Sequence, residues 1–359
     1  MPYIQRAWLT MINKSSQKNV RYCALGNEEA SDTLLKTEPL PSYEPFILTP
    51  EKLQDFITIV SNEVQNYQTR RGADTIARSN IFPKYNINKE EIIFKGYFSN
   101  IYFCSNQTVS PNSPIICRIF EKTSQINPVN DPYIKTLRHV GKRSPTCILT
   151  FDIFTDDSSK IYLFQELANF GNALDYVRQG QIVTEAMVLD WAQALFAAMN
   201  FLGDIGILHR AIVPKHIKLK PDDKRIIAKL SGFRSAVVYW DPKEKNVIDF
   251  SCMPLEKRVY ATFQAPEIYG REDEYYDPIS ADVWSYGATL FYLISRLYPF
   301  NPRAPDPNLD LEIRNAIATT NQLSDAGKYF IYSCLRSHIA YRVPFESISQ
   351  DPWFRNIEG

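Results

Sequence analysis

Gly206-Ile207-Leu208-His209-Arg210-Ala211, followed downstream by Lys229-Leu230-Ser231-Gly232-Phe233-Arg234, is the stretch that decides how this chain is read. A His-Arg pair alone carries no information. Its weight comes from the order of the motifs downstream: Ala265-Pro266-Glu267 ends the next segment, then come Asp282-Val283-Trp284-Ser285-Tyr286-Gly287, Tyr298-Pro299-Phe300 and finally Arg342.

Composition bounds the rest. A chain of 359 residues, 45% hydrophobic, can bury a large core and has room for about two units. Forty basic and forty acidic residues cancel, with no dense Lys/Arg block, so neither nucleic acid nor an anionic membrane is an expected partner. The six cysteines form no Cys-x-x-Cys pair and the four histidines have no ligand spacing, which argues against a zinc centre or a disulfide framework and fits a reducing cytosol or nucleus. No uninterrupted apolar run reaches membrane-spanning length. Residues 1–27 hold Arg6, Lys14, Lys18 and Arg21 without an acid in the first 27 positions; they read as a tail, with a mitochondrial-type targeting peptide as the alternative.

Residues 1–48 lack period and end in the proline-rich Glu38 to Pro45, a flexible arm. Residues 49–87 are a helical extension: Thr49-Pro50-Glu51 supplies a cap with Pro at the first helical position, and Leu53, Phe56, Ile57, Val60 and Val64 continue at helical spacing over about 50–68. From Glu91 the runs Ile92–Phe94, Ile101–Cys104, Ile115–Phe120, Ile148–Phe154 and Ile161–Phe164 read as five strands. Behind a Thr184 cap, Val188, Trp191, Leu195, Met199 and Leu202 share one face of a long helix.

The ordered motifs resemble the protein-kinase superfamily over about residues 88–355. The resemblance implies an α+β, bilobal fold: a five-stranded antiparallel N-lobe (about 88–167), a mainly helical C-lobe (about 168–355) and the N-terminal extension. Aligned with the family's His-Arg-Asp-x-Lys-x-x-Asn, the base position is Ala211, the lysine Val213 and the metal-binding asparagine His216; the second metal ligand is Gly232. The strand-3 lysine becomes Arg118, its helix glutamate Tyr133, and the threonine that bridges base and lysine Tyr260. Of the glycine-rich loop only Gly96 is in register. A vestigial nucleotide site would comprise Gly96, Arg118, Gln165 and Leu167, narrowed by Ile116 above the ring and Lys218 below it, unless a one-residue slip puts Leu219 inward.

The support positions are kept: His209 and Phe233 in a hydrophobic column between the lobes, Asp282 beneath the catalytic loop, and Glu267 with Arg342 as a partly buried ion pair. Phosphoryl transfer is mostly positioning and charge neutralisation, so the losses imply a catalytically degraded member, a pseudokinase. The expectations are no enzymatic phosphotransfer, no magnesium and no nucleotide, with residual ATP binding as the exception. Leu230 to Ser235 and His209-Arg210-Ala211-Ile212 are similar to STRAD-type adaptor pseudokinases, which implies a signalling scaffold or allosteric regulator of a protein partner, itself a kinase. Asp351-Pro352-Trp353-Phe354 looks like calmodulin-dependent-type kinases. Trp240 and Phe250, in the segment equivalent to an activation loop, are the candidate partner-binding residues. The rival reading is an atypical active kinase or a nucleotidyl transferase using relocated acids, Asp222 and Asp223 or Glu272-Asp273-Glu274.

Overall fold

The structure, a computed structural model, describes residues 85–96, 99–106, 114–120, 132–155, 160–223, 225–238, 240–241, 246–247, 262–269, 276–301 and 308–355. The arm and the helix expected at about 50–68 lie outside the described residues, as does Phe250, and only the backbone of Trp240 is described.

The N-terminal half is a five-stranded antiparallel sheet in the order β1-β2-β3-β5-β4: β1 Tyr85–Lys95, β2 Ser99–Asn106, β3 Ile115–Phe120, β4 Thr150–Thr155 and β5 Ile161–Glu166. Alternation splits its side chains into two layers. Tyr85, Cys104, Ile115, Cys117, Ile119, Tyr162 and Phe164 build a small core on one face. Phe120, Ile161 and Leu163 join Ile134 and Leu137 of helix α1 (Pro132–Val140) in the main core. The register Ile101↔Arg118↔Leu163 and Phe103↔Ile116↔Gln165 sets Arg118, Ile116 and Gln165 on this second face.

The C-terminal half is helical: α2 Ala173–Arg178, α3 Glu185–Asp204, α4 Pro278–Ser295, α5 Leu309–Ala318, α6 Asp325–Cys334 and α7 Pro352–Arg355. Side-chain caps define the starts. Asn172 accepts from the Asp175 amide, Thr184 from Met187 and Asp277 from Ile279 and Ser280. By length and composition α3 could cross a membrane. Its apolar residues Val188, Trp191, Leu195 and Leu202 are instead packed in the core. Every residue of α4 from Pro278 to Ile294 but Ser280 is buried, which makes it the C-lobe's central post.

Between the halves lie β6 (Ile207–Leu208), the hairpin of β7 (Ile217–Asp222) and β8 (Arg225–Leu230), and β9 (Val237–Val238), which pairs with β6. A further short pair, β10 (Trp240–Asp241) and β11 (Asn246–Val247), comes next. The motif-bearing turns leave these strands and meet in the cleft.

Candidate functional site

The turn after β6 is held from below. Arg210 has φ 63°, in the left-handed region that costs a non-glycine residue roughly 1–3 kcal/mol. Asp282 of α4 fixes it by accepting the Arg210 amide at 3.1 Å, and Thr289 donates to the Ile212 carbonyl at 2.8 Å. Burial raises the Asp282 carboxyl to about 7, against the hydrogen bonds and the Arg210 charge that favour ionisation. His209 is buried and its Nε2 pairs with the Ser231 carbonyl at 2.9 Å, while burial and then His216 push it down to about 3, so it is neutral. Phe233 packs edge-on against it, ring centroids 5.3 Å apart. At the same N-terminal end of α4, Arg342 grips Glu267 through two bonds of 2.5 and 3.1 Å and also donates to the Ser280 and Arg336 carbonyls. Its guanidinium lies over Trp284, 5.0 Å from the ring centre.

The positions that would face a reacting phosphate are organised differently. Ala211 and Val213 are buried in the body of the loop. His216 Nδ1 bonds the Ala211 carbonyl at 2.9 Å, and its ring lies against Gly232. A Cβ at Gly232 would stand 2.3 Å from His216 Cγ. Thus the imidazole fills the space that a side chain at 232 would need, and Gly232, with φ +82°, is shaped to admit it. Ser231 closes the arrangement by donating from both amide and hydroxyl to the His216 carbonyl at 2.8 Å.

The fold implies a magnesium nucleotide, and this geometry does not fit the metal: magnesium needs hard oxygen ligands, and the side chains of Ala211, His216 and Gly232 present none. Among the described residues no group of three or more His, Cys, Asp or Glu side chains gathers elsewhere. Of the acids named as relocation candidates, Asp222 and Asp223 sit exposed at the tip of the β7–β8 hairpin, Asp222 about 13 Å along the strand from Lys218. Glu272, Asp273 and Glu274 lie outside the described residues.

The register of β7 settles where Lys218 points. Ile217 and Leu219 are fully buried in the C-lobe core, so Lys218 between them turns the other way, on the face it shares with Lys229 across the hairpin. There is no slip. Gly96 closes the β1–β2 turn by donating to the Ser99 carbonyl at 3.0 Å. Gln165 is buried and its amide bonds Thr150 at 3.1 Å, while the Leu167 amide bonds the Pro114 carbonyl. Of the vestigial nucleotide set, Arg118 faces the cleft, and Gln165 and Leu167 serve the strand connections.

Two contacts had no counterpart in the motif reading. Tyr133 on α1 packs edge-on against Phe120 and lies under the Arg234 guanidinium, 5.9 Å from its ring centre, so a cation–π contact links α1 to the Gly232 loop. Glu166 at the end of β5 is buried with Lys229 at 2.7 Å and Lys220 at 3.2 Å, and also accepts the Leu149 amide, clamping the sheet to the β7–β8 hairpin. The signal for the second was Lys229 itself. A lysine inside Ile226-Ile227-Ala228-Lys229-Leu230 can be buried only with an acid partner.

Comparison with known proteins agrees with this architecture. The protein kinase domain profile matches residues 87–354. Similar curated proteins include CBL-interacting protein kinase 11 of Oryza sativa subsp. japonica, 24% identical over 77% of this chain and 53% of its own. Serine/threonine-protein kinase atg1 of Dictyostelium discoideum is 24% identical over 72% and 37%, and CBL-interacting serine/threonine-protein kinase 12 of Arabidopsis thaliana 23% over 79% and 57%. The chain spans about half the length of the curated relatives it matches. These relatives correct one expectation: all three are named as kinases, so the reading of the chain as a non-enzyme is overturned and phosphotransfer returns as an activity to be measured. The likeness to STRAD-type adaptors rests on the short motifs alone. With the profile spanning both lobes, and the sheet, the Asp282 anchor and the Glu267–Arg342 pair all in place, the chain belongs to the protein kinase domain family.

Proposed function

We propose that this kinase-domain protein regulates a protein partner, itself a kinase, by binding it through the face formed by its activation-loop equivalent and C-lobe. The observation that carries the reading is the contrast within one site. The frame that gives a kinase domain its binding shape is built from satisfied pairs, Asp282 with the Arg210 amide and Glu267 with Arg342. The positions that would handle phosphate and metal are closed on one another, His216 against Gly232. Exposed apolar side chains lie on the C-lobe: Leu297 and Tyr298 come directly after α4, and Arg296 donates to the Gln181 carbonyl next to the exposed Ile182. The net charge of zero leaves shape and apolar contact to choose the partner.

A second reading, phosphotransfer by this chain with acids other than those at 211 and 232, is favoured by the kinase names of the relatives. One experiment addresses both. The wild type and a folded Trp240→Ala/Phe250→Ala variant are used for affinity purification, and any kinase recovered is purified and assayed with and without the chain. Incorporation from labelled ATP by the chain alone is measured in parallel. The regulatory reading expects a kinase bound by the wild type, its rate altered by the chain, and both effects weakened in the variant. Equal recovery by both proteins, or a bound kinase whose rate is unchanged, overturns it. Incorporation by the purified chain that is lost in an Arg118→Ala control establishes the second reading.

A further inference from the structure

We infer that the proline-rich arm of this chain, Glu38 to Pro45, docks on a patch of its own C-lobe formed by Ile182, Leu297 and Tyr298 beside Arg178.

The patch is built from two turns that the fold ties together. Ile182 lies between α2 and α3 and is 79% exposed; Leu297 and Tyr298 follow α4 and are 57% and 42% exposed. Arg296 joins the two turns. It ends α4 with φ 62°, where glycine is the usual terminator, and its guanidinium donates to the Gln181 carbonyl at 3.0 Å. Tyr298 is fixed from behind, its ring centre 5.1 Å from that of Tyr292 and 5.7 Å from that of Phe263, both buried. Large apolar side chains left exposed on neighbouring turns mark a contact surface.

The rim of the patch is basic. Arg178 and Arg296 are exposed, and neither has an acid partner among the described residues. The helix that ends at Arg178, α2, packs against α4, which carries Tyr292. Hydrogen bonding with the Tyr292 side chain, and less so with Tyr298, holds Arg178 above the ordinary arginine value.

The arm has the complementary chemistry. From Thr37 to Glu51 the chain carries Glu38, Glu44 and Glu51 and no base, and Leu40, Tyr43 and Phe46 supply apolar side chains among them. Pro39, Pro41 and Pro45 favour extended backbone, and an extended proline-rich segment docks on exposed aromatic surface with little ordering entropy left to lose. Reach is ample. Tyr85, where β1 begins, comes 40 positions after Pro45. Even wound entirely as helix, such a stretch spans about 60 Å, against a radius of gyration of about 18 Å for a domain of this size. A tethered segment also meets the patch at high effective concentration, which favours this chain's own arm over a like motif in another molecule. The inference stands apart from the partner-binding reading, since no partner enters its test.

The test is photo-crosslinking of the dilute full chain carrying p-benzoylphenylalanine in place of Tyr43, with the joined peptides identified by mass spectrometry. Crosslinks within one chain to residues 178–183 and 292–298 are expected. Their yield should fall by about fivefold or more in Leu297→Asp/Tyr298→Ala and in Pro39→Ala/Pro41→Ala, variants of exposed or arm residues whose melting should match the wild type. Glu38→Gln/Glu44→Gln should lower it as well, and added salt should do the same. Crosslinks confined to other parts of the domain, crosslinks that join two chains, or a yield unchanged in the folded Leu297→Asp/Tyr298→Ala variant overturn the proposal. Should the bulky ketone at 43 itself block docking, the same label at Ser42 decides, and its failure to reach the patch overturns the proposal too.

Discussion

Gly232 and His216 are a matched pair, and neither can be reverted alone. The imidazole root, not a flexible tip, occupies the space beside Gly232, and its Nδ1 is tied to the Ala211 carbonyl. Gly232 also has φ +82°, where any side chain is strained. Gly232→Asp should therefore destabilise by roughly 2–5 kcal/mol, the sum of an overpacking and a left-handed backbone cost. His216→Asn removes the ring, and the double variant should be more stable than the sum of the two singles by at least about 1 kcal/mol. Urea denaturation of the four proteins measures this. Additive effects would show that the ring moves aside freely and that the pair is not coupled.

At the scale of the element, the turn between β6 and β7 owes its shape to α4, and the two buried titratable groups there act against each other. Asp282 rises from 3.8 to about 7 on burial, so in the folded state it keeps a proton that the unfolded chain releases. Its contribution is complete below about pH 4 and is lost as pH rises through 7. His209 falls from 6.5 to about 3, so the unfolded chain takes up a proton that the folded one refuses, and stability is lost as pH falls from 6.5 toward 3. Between about pH 4 and 6.5 the slopes have opposite signs and partly cancel. Asp277, raised to about 6 by burial, shares the sign of Asp282. Asp282→Asn can still accept the Arg210 amide while removing one titration, so its stability should climb more steeply from about pH 4 to 6.5 than that of the wild type, by up to about 1.4 kcal/mol per pH unit. The unfolding midpoint in urea as a function of pH measures this, and an unchanged profile would mean that Asp282 is ionised throughout.

At the scale of the whole molecule, what could be read in the sequence was what one residue type in one place can signal. The strands were visible because β-branched and aromatic runs alternate, and α3 because its apolar residues recur on one face behind Thr184. The motif turns were visible through their order. Contacts such as Arg234 with Tyr133 and Lys229 with Glu166 were not, because each joins residues far apart in the chain and only the closed fold makes them neighbours. The ion pair of Glu267 with Arg342 lies between these cases: its members were legible, its surroundings were not. Arg342 is 1% exposed and Glu267 16%, and the guanidinium is further committed to two carbonyls and the face of Trp284. Loss of the acid leaves a buried cation without its counter-charge. Glu267→Ala should thus cost about 3–5 kcal/mol, more than an exposed pair could. Replacing the arginine by a chain of similar length that packs on Trp284 removes the stranded charge, so Glu267→Gln/Arg342→Met should recover much of that loss. Equilibrium unfolding of wild type, Glu267→Ala, Arg342→Met and the double variant decides it. A Glu267→Ala cost below about 1 kcal/mol would place the pair with solvent-screened surface bridges and remove it from what holds the end of the activation-loop equivalent to the C-lobe.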